Sequence, residues 1–354
     1  MKRWLAILMC VFMVMSLVVG CAGEEPAGEE PAGEEPAGEE PAGEEPAGEE
    51  PSGEGLKIGL SQQHLTNDWN RGVNAGVIAA CDEIGAELIQ ANAKGDTNQQ
   101  VADIENFLTL GVDAVIIGGG EGPAFAPVMQ EMADKGIPCI TIDIASEYTL
   151  SNITSDNFNG GEQLGLYVKN RLRGQGNIVV LDTPGWQSLE IRIQMLEAVI
   201  KYYPNLKIAQ TISIGTQDAV NNYYKETKAY LLGNPDTQAI YCSWGLAAVG
   251  AAQAVRELGL QDDVFIVCTD ADQVVLEEMR QPDSALAAVV GQYPDKLGSL
   301  AVESAVKAID GQELPVEAYA PIILIEKNDS KAWFSAPAIM SVEESWEALY
   351  SGVE

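Results

Sequence analysis

The sequence predicts an α/β protein with two doubly wound lobes, each built on a parallel sheet. Two short segments, residues 112–117 and 137–142, are apolar throughout and predict strands that are buried on both faces. Stretches with apolar residues at helical spacing separate such strands, and the alternation starts again after Ser155. A parallel sheet covered by helices on both sides, formed twice along the chain, accounts for these observations.

The first half alternates regularly between strands and helices. The predicted strands are residues 57–60, 87–90, 112–117 and 137–142, and the predicted helices are residues 73–84, 98–110 and 124–135. Gly111 and Gly136 follow two of these helices, where the left-handed conformation of a glycine commonly ends a helix. Residues 57–142 therefore predict one lobe.

The second half repeats this plan. The predicted helices are residues 160–173, 191–199, 218–232 and 246–258, and the predicted strands are residues 177–181, 208–212, 239–242 and 264–268. In open α/β sheets, ligands bind outside the carboxyl ends of the strands. If these ends of the two sheets face each other, a ligand lies between the lobes.

The first twenty residues predict a secretory signal peptide. Lys2 and Arg3 precede an apolar run over residues 4–19, which is short for a membrane span and ends in small residues. Residues 18–21, Val-Val-Gly-Cys, resemble a bacterial lipobox, which implies cleavage before Cys21 and lipidation of that cysteine. The alternative is an ordinary cleaved signal peptide, which predicts a freely soluble secreted protein.

Residues 22–51 repeat Ala-Gly-Glu-Glu-Pro six times without a change. The repeats contain no large apolar residue, so nothing offsets the entropy cost of ordering them. We therefore expect residues 21–55 to form a lipidated, disordered stalk, extended by its prolines and like charges. An acidic binding tail is the alternative.

Composition argues against several classes of function. Residues 56–354 contain 40 acidic and 18 basic residues, a formal net charge of −22, and such a surface repels nucleic acid. His64 is the only histidine, and Cys-x-x-Cys does not occur, so the sequence predicts neither a metal site nor a cofactor. The glycines at residues 118–122 match neither phosphate-binding pattern.

Polar residues follow the first strand and close two later ones. Ser61, Asn67, Asp68 and Trp69 come after the strand at residues 57–60, and we expect them at the mouth of the crevice. An aspartate follows each of the strands that end at residues 142 and 268–269. The alternative for the aspartates and for the loop residues is to start the following helix as caps.

Six short motifs occur in a characteristic order. They are LSQQHLTNDW at residues 60–69, ITID at 140–143, SDNFNGG at 155–161, RIQMLEAV at 192–199, CTDAD at 268–272 and GQYPDKLG at 291–298. In this order they resemble the periplasmic sugar-binding proteins of the ribose/galactose type, which are the ligand-capturing subunits of bacterial ABC importers. The resemblance covers residues 56 to about 328.

The resemblance implies a type I periplasmic binding protein fold, with two lobes joined by a hinge of three crossovers. The expected crossovers lie near residues 155–159, 290–293 and 318–322. The N-terminal lobe would then comprise residues 56–157 and 291–318, and the C-terminal lobe residues 158–290 and 319–354. The resemblance further implies capture of a small ligand by closure of the hinge.

The resemblance also implies a set of ligand contacts. It implies that Asp143 and Asp270 accept hydrogen bonds from the ligand, that Arg192 donates to it and Gln292 hydrogen-bonds with it, and that Trp69 stacks on a sugar ring. Two departures, Ile144 and Trp244, replace polar groups of the family by apolar ones. They predict a deoxy sugar, a polyol or a more apolar small ligand, with Trp186 and Gln217 as further wall residues.

The expected protein is therefore an exported monomer without catalytic activity. It would bind a monosaccharide or polyol, dock on an ABC transporter permease, and be lipid-anchored to the outer face of the cell membrane or lie in the periplasm. A ligand sensor for a membrane receptor is one alternative. An exported enzyme that acts on glycosides, with Asp143 and Asp270 as its carboxylate pair, is another.

Overall fold

The structure is a computed structural model that describes residue 53, residues 55–327 and residues 339–345. The predicted signal peptide, Cys21, the repeats, residues 328–338 and residues 346–354 lie outside the described residues. None of the helices in the described part is long and apolar enough to cross a membrane.

Strands and helices alternate along the described chain. The strands are β1 (Lys57–Gln62), β2 (Glu87–Asn92), β3 (Ala114–Gly118), β4 (Cys139–Ile142), β5 (Ser151–Ser155), β6 (Gln175–Asp182), β7 (Asn205–Ser213), β8 (Thr237–Cys242), β9 (Phe265–Thr269), β10 (Leu286–Gln292), β11 (Glu317–Ala320), β12 (Ile322–Glu326) and β13 (Ile339–Ser341). The helices are α1 (Asp68–Ile84), α2 (Thr97–Leu110), α3 (Gly122–Lys135), α4 (Asn157–Arg171), α5 (Gln187–Ile200), α6 (Ala219–Gly233), α7 (Gly245–Glu257), α8 (Gln273–Arg280) and α9 (Pro294–Ile309).

The strands form two sheets. The first has the order β11-β5-β4-β3-β1-β2, and all of its pairs are parallel. The second has the order β13-β12-β10-β9-β8-β6-β7, and it is parallel except where β12 runs antiparallel to β10. In each sheet the order reverses beside the first strand of a βαβ unit, as in doubly wound folds. The predicted fold class is confirmed.

Helices cover both faces of each sheet, and the cores lie between them. Strand residues such as Ile58, Ile116, Ile240 and Ile266 are completely buried. Burial of an aliphatic side chain of this size contributes roughly 1.5–3 kcal/mol relative to exposure. The apolar strand segments of the sequence are therefore the parts that hold the helices in place.

The strand β5 was missed because its sequence is polar. Ser151, Asn152, Thr154 and Ser155 are all buried there, although they are residues usually found at the surface. A hydrogen bond offsets the cost of burying the polar side chain of Asn152, because its Oδ1 accepts from the backbone N–H of Ile144 at 3.0 Å. Hydropathy cannot identify a strand of this kind.

The chain passes between the sheets three times, at Asp156, at Tyr293 and at Pro321. Strand β10 of the second sheet runs through Gln292, and β11 belongs to the first sheet as far as Ala320. The expected crossovers near residues 290–293 and 318–322 include these positions, while the lobe boundaries predicted at 290/291 and 318/319 lie a few residues earlier. The sequence does not fix these positions to the residue, because each crossing is a single residue between two elements and has no stretch of typical linker residues.

Helix α9 returns the chain to the first sheet and packs closely on α1. A Cβ at Gly76 would lie 2.0 Å from the carbonyl oxygen of Asp295, and one at Gly298 would lie 2.2 Å from that of Val73. These two glycines let the helix backbones touch. The motif at residues 291–298 is thus explained in part by packing.

The last described segment lies on the second lobe. Ser341 and Glu344 form a capping box, in which the Ser341 N–H donates to Glu344 Oε2 at 2.8 Å and the Glu344 N–H donates to Ser341 Oγ at 3.2 Å. Val342 is buried in the core beside α7 and α8, and Glu343 pairs with Arg280 at 3.0 Å. These contacts hold residues 341–344 against the second lobe.

Candidate ligand-binding site

A cleft of about 120 Å³ lies between the carboxyl ends of the two sheets. From the first lobe it receives residues that follow β1, β3 and β4, and from the second lobe residues that follow β6, β7, β8 and β9 or end β10. Its lining consists of Gln63, His64, Asn67, Trp69, Asn70, Gly119, Asp143, Trp186, Ser188, Leu189, Arg192, Thr216, Trp244, Leu246, Asp270, Asp272 and Gln292. Most of the predicted contact residues are in this set.

Asp143 directly follows β4 and has an unusual backbone conformation. Its φ is 57°, in the left-handed region that non-glycine residues seldom adopt, and this turns the chain at the edge of the cleft. Thr154 donates its hydroxyl to Asp143 Oδ1 at 2.5 Å. Burial raises the pKa of Asp143, an effect that this hydrogen bond and the charge of Arg192 oppose.

Asp270 occupies the matching position after β9, with φ 77°. Its Oδ2 accepts from the backbone N–H of Gly245 at 3.2 Å, which is the first residue of α7. Its Oδ1 accepts from Arg192 Nη1 at 3.5 Å and also from Gln292 Nε2. A carboxylate at a helix N-terminus beside an arginine is held strongly in one orientation.

Arg192 of α5 is only 2% exposed, and most of its donors are used within the protein. Its Nε donates to Asn157 Oδ1 at 2.8 Å, and its Nη1 donates to the Ser243 carbonyl at 2.9 Å and to Asp270. These bonds make it a positioning residue for Asp270. The direct ligand contact expected for Arg192 stays a prediction.

Hydrogen bonds connect the two aspartates through the first crossing. Thr154 on β5 binds Asp143 and accepts from Asn157 Nδ2 at 3.0 Å, and Asn157 begins α4 in the second lobe. Asn157 in turn holds Arg192, which holds Asp270. One chain of hydrogen bonds thus runs from Asp143 on the first sheet to Asp270 on the second.

The first-lobe loop after β1 contributes Asn67, Trp69 and Asn70. Asn67 is the N-cap of α1: its Oδ1 accepts from the Asn70 backbone N–H at 2.9 Å and from Asn70 Nδ2 at 2.9 Å. Asn70 is 4% exposed, and its Oδ1 has no protein partner. Asn67 therefore serves both as a cap and as a lining residue.

Two predicted contact residues do not line the cleft. Ser61 is completely buried within β1, between β2 and β3. Asp68 faces an adjoining opening, where its Oδ2 accepts from the backbone N–H of Gln273 in the second lobe at 3.0 Å and its Oδ1 pairs with Arg71. The sequence placed both at the crevice because it could not show how far β1 extends or which residue meets the opposite lobe.

The apolar wall is formed by tryptophans and leucines. Trp69 comes from the first lobe, and Trp186 and Trp244 come from the second, with Leu189 and Leu246 beside them. Thr216 lines this side instead of the expected Gln217. Aromatic faces of this kind suit the C–H side of a sugar ring.

Ile144 does not add apolar surface to the cleft, contrary to what the sequence suggested. It is 3% exposed and packs in the core of the first lobe beside Phe125 and Cys139. The change at Trp244 does reach the cleft. Of the two departures from the family pattern, Trp244 therefore changes the wall of the cleft and Ile144 does not.

Asp272 is a lining residue that the sequence did not single out. It precedes α8, and burial together with the charges of Asp270 and Asp68 raises its pKa to about 8. Gln63, His64 and Asn70 were also missed as lining residues, and burial lowers the pKa of His64. The CTDAD motif contains both aspartates, but spacing alone did not indicate that both face the cleft.

A family model for the periplasmic binding protein domain matches residues 58–313, which is well over half of the chain. The chain belongs to the periplasmic binding protein family. The match includes both sheets as far as the end of α9 and the residues on both sides of the cleft. The resemblance inferred from the six motifs is confirmed.

Curated relatives of this periplasmic binding protein carry sugar and polyol names. The ribose import binding protein RbsB of Bacillus subtilis is 26% identical over 278 residues, which cover 75% of this chain and 86% of that protein. The xylitol-binding protein of Mycolicibacterium smegmatis is 27% identical over 236 residues, covering 65% and 66%.

Solved structures of similar proteins have the same architecture. A solute-binding protein of an ABC transporter from Agrobacterium vitis, with bound allitol, is 28% identical with a TM-score of 0.72 and covers 77% of this chain and 96% of that one. An ABC sugar transporter subunit from Rhodobacter sphaeroides is 27% identical with a TM-score of 0.71, covering 77% and 98%.

Proposed function

We propose that this periplasmic binding protein captures a small sugar or polyol between its lobes and delivers it to an ABC importer. The observation that carries the proposal is the cleft itself. Carboxylates from both lobes, Asp143 and Asp270, enter it from strand ends, and Trp69 and Trp244 bring aromatic surface from opposite sides. Acceptors for hydroxyl groups beside an apolar wall are what a polyhydroxylated carbon skeleton requires.

The proposed ligand contacts are Asn67, Trp69, Asp143, Trp244, Asp270 and Gln292, all of which line the cleft. Asn70 and Asp272 join them. Ser61 and Asp68 are not among the proposed contacts, and Arg192 holds Asp270 in place. A ligand that touches both lobes stabilises the closed form by the difference between its affinities for the closed and open forms.

The proposed lobes are the two sheets with their helices, so the hinge consists of the crossings at Asp156, Tyr293 and Pro321. The contact between Asp68 and the Gln273 N–H joins the lobes on the outer side of the cleft. Opening of the hinge would break this hydrogen bond between the lobes. Small-angle X-ray scattering tests closure: the radius of gyration falls when ligand is added, and an unchanged value at saturation would refute hinge closure.

The proposed location follows from the N-terminal sequence. A signal peptide at residues 1–20 would export the chain, and lipidated Cys21 would hold it at a membrane surface through the stalk at residues 21–55. The protein would act as a monomer, since each lobe supplies half of the site. Replacing Cys21 with alanine tests the anchor: the exported protein then appears in the soluble fraction instead of the membrane fraction.

We propose binding without catalysis. Asp270 has its two oxygens engaged by Arg192, Gln292 and Gly245, so it is held as an acceptor and has no freedom to exchange a proton with a substrate. Incubation with chromogenic glycosides tests this. Turnover that disappears in Asp270→Asn would overturn the proposal and favour a glycosidase.

A thermal-shift screen of the purified protein against monosaccharides, deoxy sugars and polyols tests the ligand class. A ligand at a hundred times its dissociation constant stabilises the native state by about 2.7 kcal/mol. We expect a clear rise in melting temperature with at least one sugar or polyol, and its loss in Trp69→Ala. The absence of any rise across the screen would contradict the proposed ligand class.

A further inference from the structure

Helix α8 begins beside the cleft, and a residue of the opposite lobe binds its N-terminus. Asp272 is the N-cap of this helix, and Gln273 is its first residue. The backbone N–H of Gln273 donates to Asp68 Oδ2 at 3.0 Å, and Asp68 is the first residue of α1 in the first lobe. A carboxylate at this position also interacts favourably with the positive end of the helix dipole. Asp68 thus stabilises the N-terminus of α8 from across the gap between the lobes.

The residue that ordinarily stabilises a helix start in this way is the N-cap itself. Aspartate and asparagine are among the best N-cap residues, because the side chain accepts from the backbone N–H of the second or third helical residue. Asn67, Asp96 and Asp156 make this bond to the helices that follow them. In the part of the chain that the structure describes, the side chain of Asp272 makes no such bond, and it lines the cleft.

The backbone of Asp272 permits the capping bond. Its φ of −57° and ψ of 153° lie in the polyproline II region, which is non-helical, as an N-cap requires. Asp218, which precedes α6 and also makes no cap bond, differs because its φ of 48° is left-handed. Rotation of the Asp272 side chain alone would bring its carboxylate to the N–H groups of Val274 or Val275. The position of the side chain, and not the backbone, therefore keeps Asp272 from capping α8.

The contact between the lobes explains this position. Asp68, Asp270 and Asp272 line one opening together with Arg71 and Asp295. Burial and the charges of Asp270 and Asp68 raise the pKa of Asp272 to about 8, so its side chain is mostly protonated at pH 7. A protonated carboxyl group accepts from helix N–H groups less strongly than a carboxylate does. While the lobes touch, Asp68, which pairs with Arg71, is the better partner for the helix.

We infer that α8 exchanges its cap as the hinge moves: Asp68 holds its N-terminus while the lobes touch, and Asp272 turns back to cap it when they separate. This inference rests on the proposed function, because it requires movement of the lobes about the hinge. The helix then has a partner at its N-terminus in both forms, so neither movement costs a cap. A smaller free-energy difference between two forms lets a ligand shift them with less differential affinity.

The exchange gives Asp272 a role in ligand capture. Its side chain reaches either the cleft or the end of α8, and only the first arrangement allows contact with a ligand. A ligand that binds Asp272 therefore takes away the cap that the open form needs. Through this residue the ligand favours the closed form, in addition to the effect of its contacts with both lobes.

The distance between the lobes in the unliganded full chain tests the exchange at pH 7. Ala124→Cys in α3 and Gln217→Cys before α6 place nitroxide labels at exposed positions of the first and the second lobe. The native cysteines among the described residues are buried. Double electron–electron resonance then gives the populations with short and with long distances. All variants also carry Asp68→Ala, which removes the partner of α8 in the closed form and raises the population with long distances.

Three substitutions of Asp272 are compared in this background. Asp272→Ser and Asp272→Asn can cap α8 in the open form, and Asp272→Ala cannot. None of the three carries a charge, so repulsion by Asp270 does not distinguish them. We expect the ratio of long to short distances to be at least threefold lower in Asp272→Ala than in the other two. Equal ratios in the three variants, or a higher ratio in Asp272→Ala, would overturn the inference.

Asp96→Ala is the matched control, because it removes an N-cap that acts within the first lobe. Asp96 Oδ1 accepts from the backbone N–H groups of Asn98 at 2.9 Å and Gln99 at 3.2 Å. In the same background we expect its melting temperature to fall, while the ratio of long to short distances changes less than twofold. A change in this ratio as large as that in Asp272→Ala would mean that loss of any helix cap moves the lobes, and the exchange at α8 would be overturned.

The two proposals fail in different ways. If Asp68→Ala and every variant built on it retain a single short distance, the lobes do not separate, and the proposed hinge movement is overturned together with the exchange. If long distances occur but Asp272→Ala matches Asp272→Ser and Asp272→Asn, only the exchange is overturned and the proposed function stands.

Discussion

Asp143 and Asp270 follow corresponding strands in the two lobes, adopt the same left-handed backbone conformation, and have very different surroundings. Asp270 accepts from an arginine, a glutamine and the N-terminus of a helix. Asp143 accepts from one hydroxyl, and burial raises its pKa. Local backbone geometry places each carboxylate at the cleft. Its neighbours decide whether its hydrogen bonds are already made within the protein or are left for a ligand.

Of the substitutions that test this difference, we expect Asp270→Ala to have the largest effect on stability. In Asp270→Ala, the guanidinium of Arg192 stays buried without its carboxylate, which typically costs 3–5 kcal/mol when a buried ion pair loses one partner. Urea denaturation measures the free energy of unfolding. We expect a decrease of about 3 kcal/mol.

Asp270→Asn is the control, because it keeps the side-chain volume and one oxygen, which can accept from Arg192 while the bond from the Gly245 N–H is lost. It should lose clearly less stability than the alanine variant. Equal losses in the two variants would mean that Arg192 is stabilised mainly by Asn157 and the Ser243 carbonyl, and that the pairing with Asp270 contributes little.

Asp143→Asn should behave in the opposite way. The asparagine oxygen still accepts from Thr154, and the variant removes a carboxylate whose ionised form is penalised by burial. At pH 8 we expect an unchanged or slightly higher free energy of unfolding, together with at least a tenfold loss of ligand affinity. A loss of stability as large as that of Asp270→Ala would show that the two aspartates are equivalent.

The raised pKa of Asp272 predicts how the free energy of unfolding depends on pH. Its pKa is about 8 in the folded protein, against 3.8 ordinarily, so the folded state binds more protons than the unfolded state between these values. The free energy of unfolding should therefore fall as pH rises from about 4 to 8, and level off above. Asp270, Asp68 and Arg71 influence this group, and Asp295 lines the same opening.

Urea denaturation at pH 5 and pH 8 tests this dependence in the unliganded protein. Asp272→Asn should reduce the difference between the two values and should be more stable relative to the native protein at pH 8 than at pH 5. An unchanged difference between the two pH values in this variant would assign the dependence to other groups, such as Asp143.

The smallest expected effect concerns the contact between the lobes. Asp68→Ala removes the acceptor for the Gln273 N–H, and a single hydrogen bond of this kind contributes about 0.5–1.5 kcal/mol. We expect a several-fold loss of affinity and a larger radius of gyration without ligand. Asp68→Asn keeps an acceptor oxygen, so its affinity should lie between those of the native protein and of Asp68→Ala. A loss of affinity equal to that of Asp68→Ala would mean that the charge pair with Arg71 is responsible.

The predicted part of the site and the missed part differ in a physical way. Asp143 and Asp270 could be found because each directly follows an apolar strand, which places them at a sheet edge by local rules. Asn70 could not, since helical spacing gives no sign that its amide oxygen lacks a partner. Ile144 was misplaced because the chain turns at Asp143, so the next side chain enters the core.

The sequence by itself determined the alternation of strands and helices, the division into two sheets and the two aspartates at strand ends, because these depend on residues close together in the chain. Only the tertiary structure decided which side chains are free to bind. Arg192 is engaged by Asn157, 35 residues away, and Asp68 by Gln273, 205 residues away. Whether a polar group already has a partner depends on such distant neighbours, and local pattern carries no information about them.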